Sequence, residues 1–291
     1  GHGLAGAIAA ISISHGLPAP SGDPATTVIV LVSQPPSPDV AAKVLAAAEG
    51  SDKPVVVIFL GADPTSITRN AVYGAAYLAQ AADMAVALAR GEQPCSDEIT
   101  LSNETRRTLG DLARAMAPSQ RYVRGIFSGG TFCYEAQLVH RSFGVSAYSN
   151  TPVKGNTALP DIRVSQENTI VDMGDDEFTQ GRPHPMIDPS QKDARIRDEV
   201  ADPTTAVVLF DVVLGYGSAD DPTAELLGII GSARAKARAE GRTVAFIGYV
   251  CGTDLDPQDR AKSVAGLKAA GVLVASSNAE AGSPRKSMPI L

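Results

Sequence analysis

Cysteine is scarce in this sequence: three in 291 residues, Cys95, Cys133 and Cys251, odd in number and far apart. That spacing excludes a disulfide framework and zinc-type C-x-x-C pairs, and a reducing cytoplasm is the expected compartment. No apolar run is long enough to span a bilayer. The start, Gly1-His2-Gly3, lacks the positive n-region of a signal peptide. Positive charge is not in excess either. Lysine and arginine number 25 against 32 aspartates and glutamates, giving a formal charge of −7 and a pI near 5.1. Neither nucleic acid nor an anionic membrane is therefore expected as a partner. Tryptophan is absent and aromatics make up 5% of the chain, which is rich in alanine and glycine. Apolar runs alternate with helical segments, the pattern of an α/β domain. Gly1, Gly3 and Gly6 match G-x-G-x-x-G, but no strand precedes them. The match is read as a truncated or tag-derived end, not a dinucleotide site.

What is present centres on 125–140. The run 121–127 is apolar and β-type, Ser128-Gly129-Gly130-Thr131 is a turn, and 132–143 has helical apolar spacing. Two residues without a Cβ let a ligand approach the backbone closely. Several N–H groups and a helix N-terminus then converge on one spot, which suits phosphate. An ordinary tight connection is the alternative.

The chain also repeats itself. Asp23-Pro24 with the apolar run to Val32 resembles Asp202-Pro203 with the run to Asp211. Each reads as a turn and a buried parallel-type strand. Each is followed by an Ala-rich helix (38–49 and 223–240) and a second strand (55–60 and 243–250). Those strands end at Gly61-Ala62-Asp63 and Cys251-Gly252-Thr253-Asp254. A repeat this long implies a duplicated domain. Between the copies, 68–90 reads as helix, and 103–116 as a second helix with Asn103 as N-cap. Asp188-Pro189-Ser190-Gln191 fits a helix start, with Asp188 as N-cap. The expected organisation is a first unit over 1–62, a helical connector or dimer arm over 63–118, a second unit over 119–281 and a tail over 282–291. The first copy lacks the strand, glycine turn and helix that open the second, as if cut short or missing segments.

Ser128, Gly130, Thr131, Tyr134, Glu135 and Ala136 match the Ser-Gly-Thr-x-x-Tyr-Glu-Ala motif that opens the C-terminal, flavodoxin-like domain of the succinyl-CoA synthetase α subunit. The chain resembles the FdrA proteins more closely. These are acyl-CoA-synthetase-like proteins that carry this domain in duplicate, and their pattern matches Ser128–Ala136, Gly174–Asp188 and Cys251–Asp254. The resemblance implies an α/β fold of two flavodoxin-like, parallel-sheet units. Succinyl-CoA synthetases pass phosphate through a histidine on a Gly-His-Ala-Gly-Ala loop, and that loop is absent after Val250. Nor do these residues contain an ATP-grasp domain or a glycine-rich CoA-binding domain. Some FdrA-type proteins are associated with oxamate carbamoyltransferase, which converts oxalurate and phosphate into oxamate and carbamoyl phosphate. The resemblance therefore implies a subunit of a carbamoyl- or acyl-transferring enzyme. A CoA-binding acyl-CoA synthetase subunit is the alternative, and a non-catalytic scaffold the second. Phosphate or acyl phosphate is the expected ligand, with CoA and Mg²⁺ as further candidates. Partner subunits, a homo-oligomer and small carboxylate or phosphate substrates are expected.

The candidate residues follow. Ser128, Gly129, Gly130 and Thr131 would cradle phosphate. Glu135, whose counterpart orients the phosphohistidine in the ligases, would orient another group or be a remnant. His184 lies between Pro183 and Pro185 in a stiff loop and suits acid–base work or oxyanion binding. Arg182 could fork onto a carboxylate or phosphate. The bland reading of that loop is structural, with His184 bonding a carbonyl. Asp172, Asp175, Asp176 and Glu177 crowd a strand end, where Mg²⁺ or, more simply, a solvated acidic turn fits; no metal site is assigned. Thr253 and Asp254, at the end of a parallel strand, are placed to meet a ligand. Cys251 has no adjacent base and reads as a buried small residue.

Overall fold

The computed structural model describes residues 18–95 and 101–283. The chain divides into two compact units, Gly1–Ile99 and Thr100–Leu291. No helix among the described residues is long and apolar enough to cross a membrane. The candidate dinucleotide match at Gly1–Gly6 lies outside the described residues.

In the first unit a short helix α1 (Pro18–Gly22) precedes β1 (Ile29–Ser33), α2 (Pro38–Glu49), β2 (Val55–Phe59), α3 (Pro64–Ile67), β3 (Val72–Gly74) and α4 (Leu78–Ala89). The three strands form a parallel sheet in the order β1-β2-β3. Every residue of β2 is buried, as expected for a parallel strand covered on both faces. Pro38 opens α2, and its Val40, Val44, Leu45 and Ala48 pack with Val55, Val57 and Phe59. The helix expected over 68–90 is corrected here. Residues 72–74 form a strand beside β2, and the helix begins only at Leu78. The edge of β2 overrides the helical composition of this run. Gly74 allows the close passage, because a Cβ there would stand 2.3 Å from the Pro64 carbonyl oxygen. The expected connector is thus divided, its first helix in the first unit and its second in the other.

The second unit begins with α5 (Asn103–Arg114), capped by Ser102 and not by Asn103: the Ser102 hydroxyl accepts the Thr105 N–H. Then come β4 (Tyr122–Phe127), α6 (Gly130–Ser142), β5 (Tyr148–Ser149), β6 (Thr157–Ala158), β7 (Thr169–Asp172) and α7 (Asp176–Thr179). They are followed by α8 (Ser190–Ala201), β8 (Thr205–Val213), α9 (Ala224–Ala239), β9 (Ala245–Cys251), α10 (Arg260–Ala269), β10 (Leu273–Ala275) and α11 (Asn278–Ala281). Helix α8 starts one residue later than expected, with Pro189 at the N-cap and the Asp188 carboxylate accepting the Ser190 N–H.

The seven strands are parallel in the order β10-β9-β8-β4-β7-β5-β6. The period of two along β8 builds both cores. Val208, Phe210 and Val212 pack with Ile196, Val200, Leu226, Ile230 and Leu267 from α8, α9 and α10. Val207 and Leu209 pack with Leu109, Cys133, Ala136 and Ala281 from α5, α6 and α11. Helices thus cover both faces, and the strand order reverses at β4, whose neighbours are β7 and β8. This is the doubly wound, flavodoxin-like arrangement, in which ligands bind beyond the carboxyl ends of the strands at the reversal. Within the first unit, β1-β2-β3 reproduces the β8-β9-β10 half of this sheet, as the sequence repeat implies.

Candidate functional site

Ser128 lies at the reversal, directly after β4. It is 2% exposed, and both its N–H and its hydroxyl donate to Asp211 Oδ1 on β8, each at 2.8 Å. From α8 the Lys192 ammonium donates to Ser128 Oγ at 2.9 Å and to the Asp211 carbonyl at 2.6 Å, and lies 3.4 Å from Asp211 Oδ1. Lys192 and Asp211 are both buried, so a paired charge sits at the end of the sheet, where hydrogen bonds occupy the ammonium. The other carboxylate oxygen, Asp211 Oδ2, is buried without a hydrogen-bond partner among the described residues.

Because Ser128 turns its own donors inward, the N–H groups of the turn that remain open begin at the next residue. Gly129 is the extended N-cap of α6, with Gly130 and the exposed Thr131 in its first turn. The N–H groups of Gly129, Gly130, Thr131 and Phe132 meet no acceptor among the described residues. They point outward from a helix N-terminus, where the helix dipole favours an anion.

Gly174, after β7, closes the other side. A Cβ there would stand 2.5 Å from His184 Nε2, 2.5 Å from the Ser128 carbonyl oxygen and 3.2 Å from Asp172 Oδ1. Only glycine fits, and it brings these three groups together. Met186 N–H donates to His184 Nδ1 at 3.2 Å, which leaves Nε2, the nitrogen that faces Gly174, to carry the ring's proton. His184 is thereby presented as a donor. Asp172 is held by Asn150, whose side chain bonds both its N–H and its carbonyl, at 2.9 and 3.0 Å. Burial pushes the Asp172 carboxyl up to about 6; Asp175 and Asp211 add to the rise and the Gly174 N–H opposes it.

The remaining candidates are spread more widely. Arg182 is exposed, two residues before His184. Glu135 is buried on α6, accepting from Asn278 Nδ2 at 2.8 Å, so it ties α6 to α11. Thr253 and Asp254 are exposed in the loop after β9, with β8 between that strand and β4. The Thr253 N–H donates to Asp256 Oδ2 at 2.6 Å and its hydroxyl accepts from the Leu255 N–H. No hydrogen bond among the described residues joins either to the Ser128 turn. Cys251 is half-buried, and burial raises its thiol pKa.

Sequence reasoning missed Lys192 and Asp211. Asp211 did leave a signal: it is the one charge inside an otherwise apolar strand run, 206–214, and a buried strand charge requires a partner.

The CoA-ligase family model matches residues 126–288. Over 260 residues the chain is 40% identical to the uncharacterized protein YahF of Escherichia coli (strain K12), covering 89% of this chain and 50% of that protein. The chain thus spans about half the length of that relative. Among solved structures, the dinucleotide-forming acetyl-coenzyme A synthetase 1 of Ca. Korarchaeum cryptofilum, in complex with phosphate and ADP, aligns with a TM-score of 0.39 at 13% identity. That alignment covers 95% of this chain and 55% of the synthetase. Its apo form aligns with the same TM-score and identity, over 95% and 56%. The family match takes in more than half of the chain, including Ser128, Asp172, Lys192 and Asp211. The chain belongs to the CoA-ligase family.

Proposed function

We propose that the second unit handles acyl phosphate in an acyl-CoA-ligase-type reaction. The observation that carries this reading is the row of four N–H groups without acceptors, Gly129 to Phe132, at the reversal of strand order. A phosphate there would be held by fixed donors, which also stabilise charge as it develops on a leaving phosphate. In the reaction a thiol sulfur attacks the acyl carbon, the carbon–oxygen bond to phosphate breaks, and phosphate leaves with the electron pair. In this reading the His184 Nε2–H would donate to a phosphate or carbonyl oxygen. The thiol proton needs an acceptor, and Asp172, ionised above about 6, fits that role. CoA is the proposed thiol, and Arg182 and Thr131, both exposed, would contact it. Carbamoyl transfer, which the FdrA resemblance implies, would use the same phosphate seat. No feature of the site selects a carbamoyl over an acyl group, and the family match favours the acyl reading.

Gly130→Asp tests the seat. A carboxylate in the first turn of α6 suits the helix and occupies the place of the anion. Calorimetric titration with inorganic phosphate should show binding to the parent chain and at least about tenfold weaker binding to the variant. Equal phosphate affinity in the two would sink the proposal. Failure of both phosphate and CoA to bind the parent would leave the scaffold reading in its place.

A further inference from the structure

Three loops rise at the carboxyl end of the second sheet: 173–189 after β7, 214–223 after β8 and 252–259 after β9. Each carries an exposed apolar side chain: Ile187 (58% exposed), Tyr216 (89%) and Leu255 (91%). The loops are bound to one another. Ala219 N–H donates to the Met186 carbonyl at 2.8 Å, and Gly215 N–H donates to Gln258 Oε1 at 2.9 Å. The buried Gln258 amide returns bonds to Gly215 O, Ser218 Oγ and Ala219 O at 3.1, 3.0 and 2.9 Å. Ile187 and Tyr216 are thus each adjacent in sequence to a residue in this bonded set. Leu255 precedes Asp256, whose Oδ1 lies 3.7 Å from where a Cβ on Gly215 would stand. Ordered loops presenting apolar groups to water form a preorganised surface, since little entropy remains to be lost on docking.

The same loops carry nine aspartates and glutamates against one arginine, Arg182. That charge decides the occupant. A second copy meeting this face with its own would bring acid against acid. A head-to-tail copy would offer the cleft between α8 and α9, lined by Arg197, Lys236 and Arg242. There Arg197 is paired with Asp198, and Arg242 with Glu240 and the Val200 carbonyl, so among the described residues Lys236 is the one of these three cations without an ion pair to offer nine acidic groups. The net charge of these loops also disfavours nucleic acid and anionic lipid, extended anions that would meet the whole face, and does not bear on a phosphate group held locally by the N–H groups of the Ser128 turn. We propose that Ile187, Tyr216 and Leu255 form a docking surface for a different polypeptide, with an apolar centre and a lysine- or arginine-rich rim. The surface is present whatever ligand the Ser128 turn holds, so the phosphate titration and the following test fail independently.

The test places a photo-crosslinking phenylalanine derivative at Leu255 of the full chain in its own cells, with Val164, 56% exposed and outside these loops, as control position. The crosslinked segment is then identified by mass spectrometry. The expected product joins Leu255 to one polypeptide other than this chain, at a segment with excess lysine and arginine. Its yield should fall at least about fivefold in Tyr216→Ser, and again in about 0.5 M salt, where surface charges are screened. Thermal unfolding of Tyr216→Ser should match the parent. Crosslinking to this chain itself, to an acidic segment, or no more than at Val164, overturns the proposal. So does a yield unchanged by Tyr216→Ser.

Discussion

Asp193 stands in the first turn of α8, 1% exposed, and neither carboxylate oxygen has a hydrogen-bond partner among the described residues. Burial pushes its carboxyl up to about 6; Lys192 opposes the rise, while Glu225 and Asp188 add to it. The folded value lies above the unfolded one of about 3.9, so folding favours the protonated form. The contribution is complete below about pH 4 and is lost as the pH rises through about 6. Asp172 follows the same rule in the same window. Asp193→Asn should therefore raise the urea midpoint near pH 7.5, by about 1–2 kcal/mol of stability, and leave it unchanged near pH 4. An equal effect at both pH values would contradict a buried charge. None of this is legible locally. Asp193 reads in sequence as an ordinary acidic residue of a helix first turn, and its burial arises from packing. Asp211 differs, because its apolar neighbours in the chain already mark it.

At the scale of elements, Lys192 joins α8 to β4 and β8 through one ammonium group. Lys192→Met would leave Asp211 charged, buried and without its counter-ion, which costs about 3–5 kcal/mol. Urea unfolding should show that loss, and Lys192→Met combined with Asp211→Asn should recover part of it. A single variant as stable as the parent would show that the ammonium does not hold these elements together. The elements themselves were largely legible. β4, α6, β8, α9 and β9 appear in the sequence as apolar runs with the right period, divided by glycine, proline and N-cap residues. The candidate turn followed from Ser128-Gly129-Gly130-Thr131 for the same reason. β3 was not legible, since three residues carry no period and only the open edge of β2 makes them a strand. The inward bonding of Ser128 was hidden too, because its partners lie 64 and 83 residues further along the chain.

For the whole molecule, duplication was legible as a repeated sequence, and the structure gives it a form: three parallel strands in the first unit, and the same three as one half of a seven-stranded sheet in the second. The reversal of order at β4 has a consequence for how the second unit assembles. β8 and β9 follow each other in the chain and can pair early, whereas β4 reaches β8 only by closing a loop that spans Ser128 to Asp211, 83 residues apart. Closing such a loop costs entropy that local contacts do not, and long-range pairing slows folding. In pulse-labelled hydrogen exchange during refolding, the Ser128 amide should gain protection after the amides of the β8–β9 ladder; simultaneous protection would show that the sheet forms in one step. The proposed anion seat is then among the last parts of the unit to be built, so the phosphate binding proposed for it would distinguish finished chains from those still folding.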